Sequence, residues 1–138
     1  MADIGIATRA RLIADTAVKG IVAARVYPDR LPQSPTLPAC VYHVVSGTDE
    51  VHLGGLLGVA HARLQVDCYA TTRAAANALA TAVRNALCAS TGRGTWGTVY
   101  VCGATPQGGE RYDTQSLGDG SDDPQYITMR DFLISFNG

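Results

Sequence analysis

A chain of 138 residues has the length of one ordinary domain and can bury a core without disulfides or metals. Its formal net charge is -1, with Lys and Arg scattered, so it lacks the basic stripe of a protein that neutralises nucleic-acid phosphates. No apolar run nears the ~20 residues of a bilayer-crossing helix, and Met1 to Arg11 lacks the basic-then-apolar order of a signal peptide, so synthesis in the cytoplasm is expected.

Charged residues make up 17% of the chain, against ~25% in a typical soluble domain. Gly, Thr, Ser and Ala fill the deficit. A surface short of charge suits a protein covered by neighbours, although a lightly charged monomer has the same composition. The four cysteines, Cys40, Cys68, Cys88 and Cys102, show no zinc-knuckle or redox spacing and are expected to be free structural thiols.

In chain order, residues 4–14 are expected to form a helix, with Ile6, Ala10, Ile13 and Ala17 recurring at helical spacing. Asp15-Thr16 punctuates it and can cap a short turn over residues 16–22. Arg25-Val26-Tyr27-Pro28 reads as extended. The segment from Pro28 to Pro38 holds four prolines and is a surface connector. Residues 39–47 are rich in β-branched and aromatic side chains, which predicts a strand.

Residues 48–58, with Gly54, Gly55 and Gly58, are expected to be a loop. Residues 59–69 alternate, with Ala62, Leu64, Val66 and Cys68 inward and His61, Arg63, Gln65, Asp67 and Tyr69 outward. Thr71-Thr72 offers a cap to a helix over residues 73–88, with Ala76, Leu79, Ala80, Val83 and Leu87 as its buried stripe. Glycines loosen the connection around Trp96. Residues 99–104 predict a strand, 106–109 a turn and 110–115 the partner strand of a hairpin. A loop follows over 118–124, and the chain closes on a strand over 126–136. The expected fold is α+β, a single domain over residues 1–138, with a mainly antiparallel sheet of four to five strands and two helices on one face.

Few residues invite chemistry. His43 and His61 could meet if their strands pair, and His52 lies between them, but the spacing matches no metal-ligand motif. A triad of Asp67, His61 or His43, and Ser46 can be sketched without any nucleophile-elbow motif to support it. Asp119-Gly120-Ser121-Asp122-Asp123 lacks the ligand spacing of a calcium loop and reads as a solvated acidic loop. No catalytic residue, cofactor or metal is expected. The segment 48–58 is more informative, because Val51, Leu53, Leu56 and Leu57 are apolar residues where a hairpin tip is usually polar. They are candidate interface residues, the alternative being a loop folded back onto its own core.

Several segments resemble, in order, the phage tail-completion proteins, also called tail-terminator or head-to-tail joining proteins, of long-tailed phages and related prophages. They are Leu12-Ile13-Ala14-Asp15-Thr16-Ala17-Val18, Ala24-Arg25-Val26-Tyr27-Pro28, Leu31-Pro32-Gln33 and Leu37-Pro38-Ala39-Cys40-Val41-Tyr42. Ala62-Arg63-Leu64-Gln65-Val66-Asp67-Cys68-Tyr69-Ala70, Ala82-Val83-Arg84-Asn85-Ala86-Leu87 and Asp131-Phe132-Leu133-Ile134 continue the likeness. Residues 88–124 are the least family-like.

The resemblance implies an α+β virion protein that is not an enzyme. It implies a ring, usually six-fold, at the head-proximal end of the tail tube, which stops tube growth and joins the tail to the head connector. Its partners would be copies of itself, the tail tube protein and the head-tail connector protein, with no membrane, and DNA would pass without sequence-specific binding. In such a ring Asp119, Asp122 and Asp123 could face the DNA channel and repel the duplex. Other readings are a different head-tail adaptor, a tube protein, or a small enzyme or ligand-binding domain.

Overall fold

Asp3 starts the first element, accepting the Ile6 N–H at 3.1 Å in the computed structural model, which describes residues 3–33, 35–88, 93–116 and 124–137. Helix α1 (Ile4–Ala14) ends at Asp15, whose carboxylate accepts the N–H groups of Ala17 and Val18 at 3.1 Å each and so caps α2 (Thr16–Val22). The expected stripe on α1 is corrected. Ile4, Ala7, Thr8 and Leu12 are buried, while Ile6 is 67% exposed. Thr8 belongs to the core side because its hydroxyl donates to the Ile4 carbonyl at 2.7 Å.

Strand β1 (Val26–Pro28) pairs in parallel with the start of β2 (Ala39–His52). The proline-rich connector between them is tied at its end by Arg25, whose Nε donates to the Pro38 carbonyl at 3.0 Å. Strand β2 turns at Leu53-Gly54 into β3 (Gly55–Ala70), antiparallel to it. The expected loop at 48–58 is therefore corrected: both strands run through it. The ladder absorbs its irregularity as register shifts between Val44 and Ser46 and between Asp49 and Val51. Gly55 and Gly58 take positive φ within the strand.

Thr72 accepts the Ala75 N–H at 3.1 Å and starts α3 (Arg73–Cys88). The buried side of α3 is Ala76, Leu79, Ala80, Val83, Ala86 and Leu87, which contains the expected stripe. A short strand the sequence did not reveal, β4 (Gly94–Trp96), carries Trp96 into the core and pairs with the start of β5 (Val99–Ser116). The expected hairpin over 99–115 is also overturned. Both halves of β5 pair with β6 (Pro124–Asn137), and Gly108, Gly109 and Glu110 bulge between the Gln107–Asp131 and Arg111–Met129 pairs. A 14-residue partner strand offers one continuous edge, so a bulge costs less than leaving that edge unpaired.

Among the described residues the sheet has six strands in the order β1-β2-β3-β6-β5-β4. The α+β class stands, but the sheet is mixed and curled and three helices accompany it, in place of four to five antiparallel strands and two helices. The helices cover one face, where Leu64, Val66, Phe132, Ile134 and Phe136 meet Leu12, Val18, Leu79, Val83 and Leu87. The alternation of β3 turns His61, Arg63, Gln65, Asp67 and Tyr69 to the opposite face.

Candidate assembly surface

The face without helices carries ordered charge. Asp131 on β6 is buried, with 3% of its side chain exposed, and lies in the ladder between Gln65 and Gln107. Arg63 donates to Asp131 Oδ2 at 2.6 Å, and Arg111 donates to Oδ1 at 2.9 Å and Oδ2 at 3.2 Å. The Arg111 hydrogen bond holds the Asp131 carboxyl below the usual carboxylate range; burial opposes this and Arg63 adds to it. In return, Asp131 raises the pKa of Arg111.

Beside this clamp, His43 Nε2 lies 3.1 Å from Asp67 Oδ2, its Nδ1 lies 3.7 Å from Asp29 Oδ1, and Gln65 donates to Asp67 Oδ1 at 2.8 Å. His61 bonds through Nε2 to Glu50 and through Nδ1 to Ser135 Oγ at 2.8 Å. The His43–Asp67, His61–Glu50 and His61–Ser135 pairs link neighbouring strands, and each satisfies a polar group in or near the sheet surface.

The register separates the residues of the catalytic and metal sketches. His43 stands opposite Gln65, four residues along β3 from His61, so about 13 Å separates the two backbones at the ~3.3 Å strand rise. No group of three or more His, Cys, Asp or Glu able to hold a metal occurs among the described residues. Ser46 stands opposite Arg63, away from the His43–Asp67 pair. The observed Ser135–His61–Glu50 series has the composition of a nucleophile relay; Ser135 pairs with His61 on one side and Gly103 on the other, near the end of β6.

A second feature is the far end of the β2–β3 hairpin. The β3–β6 ladder starts at Val59–Asn137, while β2 and β3 remain paired through Val51–Leu56 and His52–Gly55. Residues 49–58 therefore project past the third strand as a two-stranded arm. Val51 is 70% exposed and Leu53, at the turn, is fully exposed. Leu56 lies opposite Val51 in the register, and Leu57 follows it on the same strand. The structure thus brings the four candidate interface residues onto one arm. The expected channel residues Asp119, Asp122 and Asp123 lie outside the described residues.

Sequence reasoning missed the continuation of this apolar surface. Val44 and Val45, at the first register shift of β2, are both exposed, and Val44 lines a groove with Ile6, Tyr42 and Pro28. A strand read as regular alternation assigns one of two adjacent valines to the core. Val44, opposite buried Leu64, belongs to the helix side of the sheet yet stays 44% exposed beside Ile6 in that groove.

A clamp at the opposite end of the sheet also had no sequence signal. Arg73, at the start of α3, donates to the carbonyls of Ile127 at 2.7 Å and Asp113 at 2.8 Å. Its guanidinium lies 5.1 Å from the Tyr112 ring centre and 5.4 Å from that of Tyr126.

The architecture is similar to a chain in a solved structure described as the virion of a native gene transfer agent particle. The match has a TM-score of 0.68 and 20% identity, and covers 98% of this chain and 95% of that one. At that identity the likeness speaks for the fold. No curated protein matches the chain. The family described as "Tail completion protein gp17" matches residues 6–101, which run from α1 through the start of β5. With well over half its length matched, this chain belongs to the tail completion protein gp17 family and is a structural component of a phage-type tail.

Proposed function

We propose that this protein closes into a ring at the head-proximal end of the tail tube, ends tube growth and joins the tail to the head connector. The observation that carries the reading is the β2–β3 arm. An isolated two-stranded hairpin is at best marginal in water, yet this one carries Val51 and Leu53 into solvent. Such an arm gains order and buries apolar surface by lying on a neighbouring subunit. Contact between an arm and a different patch on the next copy is heterologous, and heterologous contacts close into rings when the rotation permits. The tail tube protein and the connector would take the two faces of the ring. Asp119, Asp122 and Asp123 would face a channel through which DNA passes without sequence-specific contact.

The test replaces Val51 and Leu53 with Asp. Both side chains are exposed, so subunit stability should change by no more than about 0.5 kcal/mol. Electron microscopy of particles carrying the variant should show tails of uncontrolled length or tails detached from heads. Tails of normal length joined to normal heads would refute the role of the arm. A wild-type chain repeated along the whole tail, in place of one ring at its end, would show a tube protein instead.

A further inference from the structure

Cys40 and Cys68 are direct partners in the β2–β3 ladder. The Cys40 N–H donates to the Arg25 carbonyl at 3.0 Å, on the β1 side. In an antiparallel ladder the N–H and C=O of one residue point the same way, so Cys40 exchanges no backbone hydrogen bond with Cys68. Such a non-hydrogen-bonded pair brings the two Cα atoms to about 4.5 Å, inside the roughly 4.4–6.8 Å range that a disulfide spans. Both side chains belong to the helix-covered core, facing one another across the ladder. Cys88 and Cys102 lie on other elements and are only partly buried.

We infer that Cys40 and Cys68 are a latent cross-strand disulfide, closed by exchange with a small disulfide oxidant such as glutathione disulfide. One cysteine loses its proton to water, and its sulfur attacks the oxidant, breaking the S–S bond and releasing one thiolate. The second cysteine, deprotonated in turn, attacks the mixed disulfide and expels the second thiolate. Two cysteine S–H bonds give way to one S–S bond, and the oxidant, taking two electrons and two protons, leaves as two thiols. The neighbouring Cys40 thiol and burial hold Cys68 protonated well above the ordinary thiol range. Exchange therefore proceeds through local opening on the β1 side of β2, where a strand of only three residues flanks the Cys40 backbone.

The pair stays reduced in a thiol-rich cytoplasm and closes in oxidising surroundings. Closure links β2 to β3 at the base of the hairpin whose far end is the projecting arm. The inference rests on strand register and is independent of the ring reading.

The test uses the full chain with Cys88→Ala and Cys102→Ala, incubated with glutathione disulfide. The expected intact mass is lower by two hydrogens, with no glutathione retained and a linked Cys40–Cys68 peptide in a non-reducing digest. The urea midpoint should rise, and dithiothreitol should reverse the rise. The same digest on the natural sequence reads a 40–68 link separately from adducts at Cys88 and Cys102, should the double variant fold poorly. A Cys68→Ala chain should stop at a mixed disulfide on Cys40. The inference is overturned if Cys40 and Cys68 both remain alkylatable after prolonged incubation in sub-denaturing urea, or if a stable glutathione adduct persists on either while the other stays free.

Discussion

Replacing both Arg63 and Arg111 with Met would leave Asp131 in place with its counter-charges gone. The side chain of Asp131 is 3% exposed, while those of Arg63 and Arg111 are 48% and 47% exposed. Hydrogen bonds to a charged group contribute about 1.5–3 kcal/mol each, and stripping a buried charge of its partner costs about 3–5 kcal/mol. The half-exposed guanidinium groups call for a discount for solvent screening, so the variant should lose roughly 3 kcal/mol near pH 7. For a domain of this size that is about 10 °C in Tm.

The pH dependence separates charge from packing. In the wild type the folded pKa of Asp131 is depressed, so its contribution is present above the unfolded value and is lost as pH falls through the folded value. In the variant only burial acts, and it raises the folded pKa. The penalty then appears as pH rises above the unfolded value. Urea denaturation at about pH 7 and about pH 3 should show the gap between the two proteins shrinking at the lower pH. A gap of equal size at both would mean that the arginines act by packing their stems, and would refute the electrostatic account.

Arg73→Lys keeps a cation near Tyr112 and Tyr126 but loses the fork that reaches the Ile127 and Asp113 carbonyls; urea midpoints should show a loss of about 1 kcal/mol, and Arg73→Ala a larger one. Asp15→Ala removes the cap of α2 and should lower stability by about 1 kcal/mol, with Asp15→Ser recovering most of it in the same assay. Gly97 has φ +60, and an added Cβ would sit 3.3 Å from that of Ala10. Gly97→Ala should therefore cost about 1–3 kcal/mol in thermal unfolding, from backbone strain with α1 pressed against it.

Much of the fold was legible because it depends on local period. The alternation of residues 59–69 fixed which side of β3 faces the helices, and the 3.6-residue recurrence of Ala76, Leu79, Ala80, Val83 and Leu87 fixed the buried side of α3. Asp15 was readable as a cap because a short carboxylate reaches the next free amides within its own turn. The apolar residues of 48–58 were readable as a surface worth covering, although the chain there forms strands and not a loop.

Pairing was not legible, since it joins residues distant in sequence. Glycines and a proline at 106–109 carry the same signal in a hairpin turn as in a bulge, and only the long β6 edge decides for the bulge. Residue types alone made Asp67, His43, His61 and Ser46 a conceivable triad, whereas the register sets His43 on Asp67 and His61 on Glu50 and Ser135. Sequence by itself determined the α+β class and the buried faces of β3 and α3, because periodicity and capping act over a few residues, while ordered sequence segments carried the family resemblance. Tertiary structure alone decided the six-strand order, the Asp131 clamp, the projecting arm and the facing cysteines, because each exists only once distant strands lie side by side.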